Sequence, residues 1–153
     1  MTLPELTFTV ETGDLQIGGL IGAISSNDRK ANVEGLLGDR LRDQLDHGNG
    51  YAWLYFDRLA FGARPCGLGV CFHHDLTVGL MWSVSMIDFT LRPPYRSREE
   101  VETEIAFVRG VLAAQLNRTF EKGFEDFPWG RVGCSYDDKS GGIAHSFVHY
   151  PGW

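Results

Sequence analysis

From Leu76 to Met86 the chain keeps a period of two: Leu76, Val78, Leu80, Trp82, Val84 and Met86 fall on one side, and Thr77, Gly79, Ser83 and Ser85 on the other. Successive strand side chains point to opposite faces, so this stretch is a strand with one buried face. Such a strand must find pairing partners on both edges and a layer to cover its apolar side. The sequence before it supplies partners. Tyr51 to Ala60 is rich in aromatic residues, Gly67 to His73 follows Pro65, and His73-His74-Asp75 reads as a tight turn into the alternating run. Strands joined by hairpins give an antiparallel sheet.

The covering layer is legible as helix. Ser97-Arg98-Glu99-Glu100 has the form of a capping box, and Val101, Ile105, Val108, Leu112 and Leu116 follow at helical spacing. Glu99, Glu100, Glu102 and Glu104 crowd the first turns, where the macrodipole favours anions, and Arg118 stands near the end. A helix over about residues 98–117 follows, with Pro93-Pro94 closing the sheet segment before it. A second helix is expected where Val33, Leu37, Leu41 and Leu45 share a helical face, after the Asn- and Asp-bearing stretch Ser25 to Lys30. Gly35 and Gly38 each weaken it by about 1 kcal/mol relative to Ala. Residues 5–24 read as a hairpin turning at Thr12-Gly13-Asp14. Pro128 to Tyr136 and Gly142 to Tyr150 form a closing hairpin. The expected order is β-β-α-β-β-β-α-β-β: an α+β fold, mainly an antiparallel sheet with two principal helices packed on one face. At 153 residues this is expected to be a single domain, 1–153.

Charge and cysteine content narrow the partners. The formal net charge is −6, and the densest basic stretch, Arg92 to Arg98, is interrupted by Pro93 and Pro94. Phosphate binding needs a basic stripe, so no nucleic-acid partner is expected; acidity suits a basic protein partner instead. No run approaches the roughly 18 apolar residues of a membrane span, and the first residues lack the basic and apolar regions of a secretory signal. Cys66, Cys71 and Cys134 are an odd set without such a signal. This points to reduced thiols in the cytoplasm rather than a disulfide framework. Self-association is left open.

The histidines, cysteines and carboxylates are the candidates for chemistry. His73 and His74, as adjacent strand residues, would point to opposite faces. His145 and His149, with three residues between them on a strand, would stand about 13 Å apart, too far for shared metal ligation. Cys71 and His73 could share a metal only with ligands from elsewhere. Cys71 and Cys134 lie within apolar strands, where burial raises a thiol pKa and leaves little thiolate. Gly18-Gly19-Leu20-Ile21-Gly22 lacks both the G-x-G-x-x-G spacing and a P-loop lysine. No catalytic residue, metal site or cofactor is expected from these patterns. The aromatic residues Trp53, Tyr55, Trp82, Phe127 and Trp129 read as core.

Phe127-Pro128-Trp129-Gly130-Arg131-Val132 and Tyr136-Asp137-Asp138-Lys139-Ser140-Gly141-Gly142 carry a resemblance. With the layout of residues about 50–150, they resemble small bacterial proteins that include immunity proteins of interbacterial toxin systems. The resemblance implies a non-enzymatic, protein-binding role: holding one cognate toxin and neutralising it. Independently, Asp137 and Asp138 at a hairpin tip are expected to face a basic partner, with Asp75 and Asp57 on other loops as neighbours. The alternative is a small enzyme or ligand-binding protein whose site is assembled from distant His, Asp and Cys residues, which would need a concavity near His73, His145 or Cys71.

Overall fold

The computed structural model describes residues 2–19, 21–86, 97–139 and 141–153. Strands β1 (Leu6–Phe8), β2 (Leu15–Ile17) and β3 (Gly22–Ile24) form a small sheet, followed by α1 (Lys30–Leu37). Then come β4 (Leu41–Asp46), β5 (Tyr51–Phe61), β6 (Arg64–His73), β7 (Leu76–Val84), α2 (Arg98–Leu116), β8 (Phe124–Phe127), β9 (Gly130–Asp137) and β10 (Ile143–His149). The last seven strands make one antiparallel sheet in the order β4-β5-β6-β7-β10-β9-β8. The α+β class, with a mainly antiparallel sheet and two principal helices, is as the sequence predicted.

The alternating run is β7, at the centre of that sheet, and its even-numbered residues Val78, Leu80, Trp82 and Val84 are buried. Leu68↔Trp82 and Val70↔Leu80 set the register with β6, and Ser146↔Trp82 and Val148↔Leu80 that with β10. The same core face therefore carries Leu54 and Phe56 of β5, Val70 and Phe72 of β6, and Val132 and Cys134 of β9. Val101, Val108, Leu112 and Leu116 of α2, Val33 and Leu37 of α1, and Leu6, Phe8, Leu15 and Ile17 of the small sheet pack against it in one cluster. The Trp82 ring lies between Phe8 at 5.4 Å and Phe61 at 5.3 Å.

Polar anchors hold the layers in register. Gln115 on α2 accepts the Phe8 N–H at 2.9 Å and donates to the Leu6 carbonyl at 3.3 Å, pinning β1 to the helix. The buried Glu104 carboxylate accepts the Val84 N–H at 3.1 Å at the end of β7. Trp129 Nε1 donates to the Val10 carbonyl and the buried Tyr150 hydroxyl to the Gly13 carbonyl, at 2.8 and 2.6 Å. Gly13 sits at φ +73 with its Cα directly beneath the Trp129 ring, so no side chain fits there. At the start of α2 the Ser97 hydroxyl accepts the Glu100 N–H at 3.2 Å, and Asn117 ends the helix in the left-handed region.

The structure differs from the sequence reading at several places. The first helix stops at Leu37; after one 3-10 turn at Gly38–Arg40 the chain becomes β4, with Leu41 and Leu45 at 40% and 46% exposure rather than on a buried helical face. Its N-cap is Arg29, without a side-chain cap; Asp28 instead accepts the Ser25 N–H, and its carbonyl accepts from the Thr77 hydroxyl. That contact buries Thr77, which the alternation had assigned to the open side. Residues 5–24 hold three strands rather than a two-stranded hairpin, and β8 was not anticipated. The Pro93-Pro94 boundary, most of the Arg92 to Arg98 stretch, Leu20 and Ser140 lie outside the described residues. No described helix is long and apolar enough to cross a membrane.

Candidate functional site

With both helices and the small sheet on the core side, no described element covers the other face of the seven-stranded sheet. Strand alternation sends Tyr51, Trp53 and Tyr55 of β5 to that face, with Gly67, Gly69, Cys71 and His73 of β6, Gly79, Met81 and Ser83 of β7, and His145, Phe147 and His149 of β10. A run of aromatic rings results, crossing the sheet. Tyr55 stacks on Trp53 at 5.9 Å, and Trp53 meets Trp153 edge-on at 6.1 Å. Trp153 stacks on His149 at 4.3 Å, His149 meets Phe147 at 4.7 Å, and Phe147 stacks on His145 at 5.1 Å.

Gly79 makes the row continuous. A Cβ there would come within 2.4 Å of the Trp153 ring, so the absent side chain is what lets Trp153 lie flat on the sheet and join β5 to β10. Trp153 is half exposed, at 50%. Burial in this row pushes the His149 pKa down to about 4, with further lowering from His145 and Arg131. Burial also lowers His145, against the pull of Asp137. The row is consequently uncharged at neutral pH.

Beside the row lies an open groove of about 450 Å³ running along β6. Tyr55, Gly69 and Met81 are cross-strand neighbours, and the Tyr55 ring and Met81 lean towards each other over Gly69, where a Cβ would sit 3.1 and 3.0 Å from them. Over Gly67 the groove is open: the nearest atom to a Cβ there is the Phe56 carbonyl oxygen at 3.5 Å. Ser83, Asp57, Arg42 and Arg58 border it. Arg58 is spent on Asp57, at 3.3 Å, and on the Asp39 carbonyl. Arg42 makes no hydrogen bond or ion pair with the described residues. The Tyr55 hydroxyl is raised chiefly by burial, then by Cys71 and Asp43, with Arg42 acting in the opposite direction.

The four aspartates singled out in the sequence do not converge. Asp57 borders the groove. Asp137 closes β9 opposite Ile143 and accepts the Lys139 N–H at 3.0 Å, and Asp138 is exposed in the turn that follows. This turn lies beyond the Val84 end of β7. Asp75, whose carbonyl accepts the Lys30 N–H, lies before Leu76 at the opposite end of the sheet.

His73 and His74 do come together, with ring centroids 4.2 Å apart and Tyr51 stacked on His73 at 4.3 Å. Opposite-facing alternation fails because His74 is already in the turn, at φ 49. His145 and His149 share a face with the Phe147 ring between them. Among the described residues no three His, Cys, Asp or Glu side chains gather as metal ligands. The groove is lined by none of His73, His145 or Cys71, and burial pushes the thiols of Cys66, Cys71 and Cys134 up to about 12, 11 and 11. Of the aromatic residues read as core, Trp82 and Trp129 are buried, whereas Trp53 and Tyr55 face outward. The missed signal was the odd-numbered series Tyr51, Trp53, Tyr55 together with His145, Phe147, His149, aromatic at a period of two. For Trp153 no local pattern existed.

The chain matches no protein-family model and no curated protein sequence. It is similar in fold to a chain in a solved structure of Rhs1-CT in complex with cognate immunity protein RhsI1. The TM-score is 0.53 at 10% sequence identity, over 95% of this chain and 87% of that chain. At that identity the likeness establishes a shared fold, and it spans more of the chain than the residues of about 50–150 on which the sequence resemblance rested.

Proposed function

We propose that this protein is a non-enzymatic binding module of the immunity type, which holds a cognate toxin and neutralises it. The aromatic face that no described element covers carries the reading. Its rings are half-buried around the exposed Trp153, and tryptophan, tyrosine and histidine gathered at a partly exposed apolar patch are the residues that anchor partner-binding surfaces. The fold likeness to a chain from a toxin–immunity complex supports the choice of a toxin as the partner. The net charge of −6 favours a basic one, since complementary charge speeds encounter. On this reading Asp57, at the groove beside the aromatic row, contributes at the interface. Asp137, Asp138 and Asp75, at the two ends of the sheet, steer the approaching partner.

The test is coexpression with the toxin domain encoded beside the gene, followed by copurification. Rescue of growth and a stable complex are expected. A chain that neither protects the cell nor binds the neighbouring product removes the proposal.

A further inference from the structure

We infer that the groove over Gly67 receives one uncharged aromatic side chain of the protein partner. The inference rests on the binding-module reading and names the anchor by which the partner is held. Three features of the groove select the occupant. Its floor is bare peptide at Gly67, and the Tyr55 ring and the Met81 thioether close one end of it over Gly69, surfaces that pack well against a flat ring. Of the charges that border it, Arg58 is paired with Asp57, which leaves the Arg42 guanidinium as the cation at the groove and disfavours a cationic occupant. Arg42, which has no hydrogen-bond or ion-pair partner among the described residues, is left to lie over the face of an inserted ring. A protein side chain fits better than a free small molecule, because small-ligand sites bury some 70–90% of their ligand and this trough is open along its length. It is also continuous with the aromatic row through Tyr55, so a partner lying across Trp53 and Trp153 would cover the groove's mouth.

Gly67→Leu provides the test. A Cβ at Gly67 meets only the Phe56 carbonyl oxygen at ordinary contact distance, so the substitution fills the groove while leaving the sheet in place. An unchanged melting temperature checks this, and Gly67→Ala serves as a smaller filler should the leucine variant misfold. N-acetyl-tryptophanamide is titrated into the labelled protein, with N-acetyl-lysinamide as the charged comparison. Saturable shifts are expected at the Gly67, Gly69, Met81 and Ser83 amides with the tryptophan probe alone. They should weaken by about tenfold or more in the filled variant, as for an interface hot spot. Shifts that fail to saturate, that are matched by the lysine probe, or that persist in Gly67→Leu overturn the inference. In the cell-protection assay, full neutralisation by folded Gly67→Leu overturns the aromatic anchor and leaves the immunity reading standing. Absence of neutralisation by the unaltered chain removes that reading itself.

Discussion

At the scale of single residues, Trp153 and His149 make the clearest case of one side chain setting another's chemistry. His149 is held neutral because the Trp153 and Phe147 rings and the sheet keep water from it. Its pKa in the folded chain, about 4, lies below the unfolded value of roughly 6.5. The unfolded chain therefore binds more protons between those limits. The contribution of His149 to stability is complete above about pH 6.5 and declines as pH falls towards 4. Trp153→Ala should let water reach the imidazole and move its titration up towards 6.5, read from the histidine ring protons by NMR; an unmoved titration would show that Trp153 is not what keeps it dry. Gly79→Ala should act oppositely on the fold. Its Cβ would meet the Trp153 ring at 2.4 Å and the Val148 carbonyl oxygen at 2.9 Å, and that backbone atom cannot swing away. A loss of about 1–3 kcal/mol is expected in urea unfolding, as for other overpacked sites.

At the scale of elements, legibility followed how far local pattern and tertiary demand agreed. In β7 and α2 they agree: the period-two run lies at the sheet centre, and the helix starts at the Ser97 cap the sequence announced. Ser97→Ala should cost about 1 kcal/mol, and Glu104→Ala, which strips the buried Val84 N–H of its side-chain acceptor, about 1–3 kcal/mol in chemical denaturation. At Val33 to Leu45 they disagree. Leu41 and Leu45 continue the helical spacing of Val33 and Leu37, yet the free edge of β5 offers Leu41–Asp46 a ladder of backbone hydrogen bonds, and Gly35 and Gly38 make helix continuation weak. A four-residue pattern cannot report a sheet edge formed by residues further along the chain. The consequence is measurable: Leu41→Lys and Leu45→Lys should each change stability by no more than about 0.5 kcal/mol, as at ordinary surface positions. Leucines buried on a helix would lose several times that. Shortness hid β8, and the brief strands of residues 6–24 gave a pattern that a hairpin explained equally well.

At the scale of the whole molecule, the helical side of the sheet was readable because burial writes itself into periodicity. The open side was not, because its rings come from β5, β10 and Trp153, which only the register brings together. A sequence reading that credits Trp53, Trp82 and Trp129 alike to the core cannot separate Trp82 from Trp53. Charge, by contrast, was legible from composition, and the two sources of binding energy predict different kinetic signatures. Asp137 and Asp138 stand at the end of the β9–β10 hairpin, away from the centre of the aromatic row, so the proposed function predicts that they act through the long-range field rather than through packed contact. Asp137→Lys combined with Asp138→Lys should leave folding nearly intact and slow association with a basic toxin, with a weaker dependence on salt. Trp53→Ala combined with Trp153→Ala should barely alter the association rate or its salt dependence, and should speed dissociation by about tenfold or more, because packed aromatic contacts act after encounter. Surface plasmon resonance across a salt titration separates the two. If the aspartate variant loses affinity through dissociation, the hairpin is itself part of the packed interface. Should the tryptophan variant dissociate no faster than the unaltered chain, the open face is not where the partner is held.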